Sequence, residues 1–238
     1  MLVIFDCDGV LIDSEAIFCA VDAEALTKLG HPTAASTIAE RFAGIPHRTA
    51  WQTLAGEHRL NLPDCWLDDL LRECDRRFIT ELKAIAGAAD AITKIKNHGH
   101  EVCVASSTDL TPLADNLDRT GMLGHVTPNV FSVSQVKRSK PAPDVFLFAA
   151  SQMGFDPTDC IVVEDSVAGV TAARRAGMRS VGFIGGGHAY DTLQMRLLDA
   201  GAACICSSMA EISDLIGLIE IASCANAKPE NSLGRVLS

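Results

Sequence analysis

Short, continuous apolar runs punctuate the chain. Leu2–Phe5, Val102–Ala105, Cys160–Val163, Val181–Ile184 and Ala203–Cys206 each end in polar or glycine-containing sequence. That pattern suits parallel strands buried on both faces. Between the runs, apolar residues recur at helical spacing: Ala88, Ile92 and Ile95, then Leu110, Leu113, Ala114 and Leu117, then Phe146, Ala149, Ala150 and Met153. Strand alternating with helix predicts an α/β fold, a doubly wound (Rossmann-like) parallel sheet. Residues 14–81 break the alternation with helix-forming sequence and no strand signal, so an all-helical cap domain inserted after the first strand is expected. Its pieces are Glu15–Leu29 closed by Gly30, Thr33–Phe42, Arg48–Leu60 and Trp66–Ile79. Residues 1–13 plus 82–220 would form the α/β core. Periodicity fades from Ala222, and 221–238 reads as a C-terminal tail.

Composition narrows the function classes. A chain of 238 residues fits one large domain or a core with a smaller insertion. With 20 Lys+Arg against 30 Asp+Glu, the net charge of −10 argues against a nucleic-acid partner, whose phosphates need cations. No apolar run reaches the ~18 residues of a membrane helix, so no membrane partner is expected. The opening LVIF is too short an apolar run for a signal peptide, which makes the cytoplasm the expected location. The nine cysteines contain no CxxC pair and read as reduced thiols. Cys204 and Cys206 lie in an apolar run and are expected to pack a strand. No coiled-coil heptad stands out, and a monomer is the default.

The sharpest chemical signal is FDCDGVLIDSE, Phe5 to Glu15. Alternation along an extended segment aims Asp6 and Asp8 the same way, with Cys7 opposite. Two carboxylates at the carboxyl end of the first strand repel each other unless a hard cation such as Mg²⁺ or a shared proton intervenes. Glu164 and Asp165 follow the apolar run Cys160–Val163 in the same way, and Ser166 then opens a helical stretch. Asp165 reads either as a helix cap or as part of the same cation site. Ser106 and Ser107 end another strand ahead of a helix, a position that serves capping and anion binding alike. Lys140 precedes Pro141, which keeps it in an extended loop and fits a phosphate clamp. Gly185–Gly187 and His188 contain no phosphate-loop pattern and read as a plain loop.

Taken in order, FDCDGVLIDSE, the strand-end Ser106, KPAPDVF around Lys140 and EDS at Glu164–Ser166 resemble the haloacid dehalogenase-like hydrolase superfamily. The match extends over about residues 1–217 and is nearest its β-phosphoglucomutase-like phosphatase branch. The resemblance implies a small phosphorylated metabolite as partner, a sugar or sugar-acid phosphate. It makes Asp6 the nucleophile that forms an aspartyl-phosphate, and Asp8 the general acid and base. Mg²⁺ would be held by Asp6, the Asp8 backbone carbonyl and Asp165, with Glu164 beside them. Lys140 and Ser106 would hold the transferring oxygens. Glu15, Gly44, His47 and Arg48 are expected substrate contacts, because the cap supplies specificity in this family, and Ser107 joins them from the strand end beside Ser106.

Two alternatives are weaker. Family mutases carry a His in the first cap helix where this chain has Phe18, and an Arg three residues after a cap Gly where Gly44 is followed by Ile45, Pro46, His47 and only then Arg48. A receiver-type signalling module would place its phosphoacceptor Asp where Ser106 stands and would lack the insertion at 14–81.

Overall fold

A computed structural model describes residues 1–42, 45 and 47–226. The strands are β1 (Leu2–Phe5), β2 (Glu101–Ser106), β3 (Val130–Ser132), β4 (Cys160–Glu164), β5 (Arg179–Phe183) and β6 (Cys204–Cys206). They form one sheet in the order β3-β2-β1-β4-β5-β6, with every pair parallel. This order is the doubly wound arrangement, with its switch point beside β1.

Alternation along β1 decides which helices cover it. Val3 and Phe5 join Val104, Val163 and Phe183 in one apolar cluster. That cluster also holds Ile92 and Ile95 of α5 (Ala88–Asn97) and Ile212 and Ile216 of α11 (Met209–Asn226). Leu2 and Ile4 face the other way, with Cys103 and Val162, onto Phe146 and Ala149 of α8 (Asp144–Met153) and Ala172 of α9 (Val167–Arg175). Burial on both faces explains why these strands read as unbroken apolar runs, each Val, Ile or Leu contributing roughly 1.5–3 kcal/mol.

Among the described residues, four helices lie between β1 and α5: α1 (Ser14–Lys28), α2 (Ala35–Phe42), α3 (His47–His58) and α4 (Trp66–Glu81). They match the expected pieces to within a few residues at their ends. The chain leaves β1 and returns to α5 through two neighbouring strips. Asp13 N–H donates to the Lys83 carbonyl and Ile85 N–H to the Leu11 carbonyl, each at 2.9 Å. After β2 come α6 (Leu110–Arg119) and α7 (Leu123–Val126), and α10 (Leu193–Ala200) follows β5.

Two expectations need correction. β3 gave no separate signal, because three residues following Pro128 and Asn129 are too short to show a pattern. The helix α11 runs on to Asn226, past the boundary expected at 221, because the backbone stays helical over 222–226, where the apolar periodicity that marks a helix in the sequence has already faded. The remainder of the expected tail, 227–238, lies outside the described residues.

Candidate active site

β1 ends at Phe5, level with Val104 of β2 and Val163 of β4. Asp6 still follows the sheet, its N–H donating to the Val163 carbonyl at 2.9 Å. The chain then turns sharply, and the Cys7 carbonyl accepts from the N–H groups of Val10, Leu11 and Ile12 at 3.3, 2.8 and 3.1 Å. Gly9 adopts φ 76° in this turn, and a Cβ there would stand 1.8 Å from Asp165 Oδ2. Glycine is thus required both for the backbone conformation and for the approach of the second acidic strand end.

Lys140, between β3 and α8, reaches across the sheet ends. Its Nζ donates to Asp6 Oδ1 at 2.6 Å, Glu164 Oε1 at 2.8 Å and the Ala105 carbonyl at 3.1 Å. Burial by itself would push the ammonium's pKa down, but Asp6 and Glu164 outweigh it and leave the pKa raised, so the charge is kept. Burial pushes the Asp6 carboxyl well up; Lys140 opposes this, while Glu164, Asp165 and Asp8 add to it. Glu164 engages both oxygens with protein donors, Oε1 with Lys140 and Oε2 with the Ser166 N–H and hydroxyl at 2.8 and 2.9 Å. Asp165 is raised by burial, and His188 opposes the rise through Nε2, which lies 3.1 Å from Oδ2. Burial would lower the His188 imidazole, yet its bond to Asp165 prevails and carries it to about 9.

Asp6, Glu164 and Asp165 each offer an oxygen within 4.8 Å of the others. The raised Asp6 and Asp165 mark a site short of positive charge even with Lys140 and His188 in place. An all-oxygen donor set of this kind fits a hard divalent cation such as Mg²⁺. His188 gripping a carboxylate of the set is the kind of outer-shell contact that orients a metal ligand.

Asp8 faces the same cleft in a cradle of hydroxyls. Ser14 Oγ donates to Oδ1 at 2.5 Å, while Thr108 Oγ1 and Ser106 Oγ donate to Oδ2 at 2.7 and 3.3 Å. Ser106 was expected to touch the transferring oxygens. Instead it is fully buried, its hydroxyl directed at Asp8 and accepting from the Thr108 N–H at 3.0 Å. Ser107 and Thr108 line the cleft in its place. The strand end that aims Ser106 inward brings its two successors to the surface.

The cleft, about 320 Å³, is also lined by Glu15, Phe18, Ile45 and His188. It shares Glu15, Phe18, Ile45, Ser107 and Thr108 with a second cavity of about 330 Å³ among the helices α1–α4. His47 lines that second cavity, its Nε2 2.7 and 2.9 Å from the two oxygens of Asp22, which also accepts from Trp51 Nε1 at 2.8 Å. Arg48, expected to contact substrate, is exposed and lines neither cavity, because it occupies the outer face of α3 one residue after His47. Gly44 lies outside the described residues.

Residues the sequence did not assign to the site are Ser14, Asp22, Thr108 and His188, the last read there as part of a plain loop. Ser14 and Thr108 carried a usable hint, each a hydroxyl adjoining a recognised motif. Asp22 carried none, and the glycine run before His188 pointed to no carboxylate partner, since only the fold brings these two residues to the site. His188 in particular is no plain loop residue: it is buried against Asp165.

A family model described as haloacid dehalogenase-like hydrolase matches residues 1–177. The chain belongs to the haloacid dehalogenase-like hydrolases. This hydrolase is 30% identical over 177 residues to 6-phosphogluconate phosphatase of Escherichia coli, covering 74% of this chain and 79% of that protein. It is 32% identical over 181 residues to fructose-1-phosphate phosphatase of the same organism, covering 75% and 93%. A solved haloacid dehalogenase-like protein of Agrobacterium tumefaciens matches with a TM-score of 0.85 and 36% identity over 93% of this chain and 98% of that one. The hydrolase has no helix, among its described residues, long and apolar enough to cross a membrane.

Proposed function

We propose that this hydrolase is a Mg²⁺-dependent phosphatase of small phosphorylated metabolites, sugar phosphates above all, and that it works through an aspartyl-phosphate on Asp6. The observation that carries the reading is the contact of Asp6 with the buried ammonium of Lys140 beside a second acidic strand end, with Asp8 lining the same cleft. Named relatives that are phosphatases support it, one for a sugar acid and one for a ketose.

Lys140 holds Asp6 Oδ1, and among the described residues no hydrogen bond engages Oδ2, the oxygen left to attack phosphorus. As that P–O bond forms, the bond from phosphorus to the substrate oxygen breaks, and Asp8 delivers a proton to the departing alcohol. Asp8 then takes a proton from water, whose oxygen displaces Asp6 and frees inorganic phosphate. Hydroxyls donate or accept at will, so the Ser14, Ser106 and Thr108 cradle serves Asp8 in both protonation states. Mg²⁺, held by Asp6, Asp165 and the Asp8 backbone carbonyl with Glu164 beside them, would supply the charge that lets a carboxylate approach a phosphate dianion.

Residues 14–81 would form the cap over a core of 1–13 plus 82–220, hinged at the paired strips near Asp13 and Lys83. The cytoplasm is the proposed setting, in keeping with free thiols at the eight described cysteines. Phe18 lines both cavities and brings no proton-transferring group there, which favours the phosphatase over the mutase.

The test is phosphate release from a panel of sugar and sugar-acid monophosphates with and without Mg²⁺. Asp6→Asn is expected to lower kcat by at least about a thousandfold. Release that survives the substitution, or isomerised sugar phosphate without free phosphate, would sink the proposal.

A further inference from the structure

Resting on the phosphatase reading, we infer that the alcohol this enzyme releases is uncharged: its substrate carries no second phosphate and no carboxylate. The second cavity is the space beyond the reacting phosphate, entered past Glu15, Phe18 and Ile45, which line both cavities. Ile38, Phe42 and Leu71 give it apolar walls, and its polar side chains include Asp22 and His47. Among the described residues no Lys or Arg lines it. Ala43, Gly44 and Pro46, which lie outside those residues, carry no charged side chain.

His47 is the only basic lining residue among those described, and it is already committed. Its Nε2 sits 2.7 and 2.9 Å from the two carboxylate oxygens of Asp22. The cations on neighbouring turns are also engaged elsewhere or turned away. Arg41 meets both oxygens of Glu57 at 2.7 Å, Arg72 pairs with Asp69, and Arg48 is exposed outside both cavities. An anionic group entering here would meet the Asp22 carboxylate and apolar walls and find no guanidinium, and an unpaired charge taken out of water is costly. A neutral polyhydroxy group meets no such penalty. Its C–H faces can rest on Phe18 and Phe42, and its hydroxyls can pair with Ser107, Thr108 and Glu15.

The decisive comparison uses two esters with one carbon skeleton, glucitol 6-phosphate and gluconate 6-phosphate, which differ by a terminal hydroxymethyl against a carboxylate. With Mg²⁺ present, kcat/KM is expected to favour the neutral ester by at least about tenfold. Leu71→Arg, placing a guanidinium at the half-exposed edge of the cavity, is expected to narrow that ratio by raising kcat/KM for the acid. Equal or better turnover of the acid, rejection of both esters, or a ratio that Leu71→Arg leaves unmoved would overturn the inference. Nitrophenyl phosphate, whose alcohol needs little of the second cavity, separates the two readings. Its turnover with loss in Asp6→Asn keeps the phosphatase whatever the esters show, and its failure overturns the phosphatase reading and this inference with it.

Discussion

Glu15 shows how a single position near the cleft couples burial to charge. It sits in the first turn of α1, where the helix dipole favours a carboxylate, yet burial pushes its pKa from 4.5 to about 8, with Asp165 and Asp8 adding to the rise and His188 opposing it. The folded chain therefore holds this proton more tightly than the unfolded chain, and Glu15 erodes stability as pH climbs from about 4.5 through about 8. Gln carries no such charge. In chelator, Glu15→Gln is expected to melt progressively higher than the parent as pH rises from 5 to 8, with the gain levelling off above. Because Glu15 keeps part of its surface, the expected gain is on the order of 1 kcal/mol, or ~2–4 °C. Thermal melts across that range check it, and a difference that stays constant with pH would count against a buried, protonated Glu15. The sequence placed Glu15 near the site, but it could not show that burial keeps the proton on it.

At the scale of elements, the packing of α9 against the end of β4 fixes the second acidic strand end. Ser166 caps α9 by accepting from the Gly169 N–H at 3.0 Å while its hydroxyl donates to Glu164. Gly169 is one turn in, and a Cβ on it would stand 1.7 Å from Glu164 Oε1. Gly169→Ala should improve the intrinsic helix preference of α9 by roughly 1 kcal/mol and still harm the protein, because Glu164 must swing away and release Lys140. The expected outcome is a fall in kcat of tenfold or more with far-UV circular dichroism unchanged, and unaltered kinetics would show that Glu164 has room to move. Elements of this kind were largely legible, since β1, β2, β4 and β5 are buried on both faces and so print continuous apolar runs. β3 was not, being three residues long, and the exposure of Arg48 was not, because one residue along α3 from His47 turns the side chain by about 100°, out of the cavity that His47 lines. Ser106 was placed correctly along the chain, but its hydroxyl turns inward, which only the packed loop to Thr108 determines.

Over the whole molecule, the doubly wound topology gathers the strand ends of β1 and β4 at one point and concentrates negative charge there. Asp6, Asp8, Glu164 and Asp165 line the cleft, against Lys140 and His188 as its cationic lining groups among the described residues. The sequence foretold the gathering because the motifs at Asp6, Ser106 and Glu164 each lie at the end of an apolar run, and open α/β sheets bind ligands at those ends. It did not foretell His188, which arrives from the loop after β5 with no local pattern to announce it. The charge excess makes stability and cation binding two readings of one arrangement. A divalent cation that binds only the folded state stabilises it by mass action, about 2.7 kcal/mol at a hundred times Kd, or ~5–10 °C for a chain of this size. Asp165→Asn removes one repelling carboxylate and leaves an oxygen that still accepts from His188. The variant is expected to melt no lower than the parent in chelator while losing most of the Mg²⁺-dependent increment, as read by differential scanning calorimetry in both conditions. A drop of several degrees in chelator, with the Mg²⁺ increment intact, would instead mean that Asp165 serves the fold through its bond to His188 and that the cation is held elsewhere.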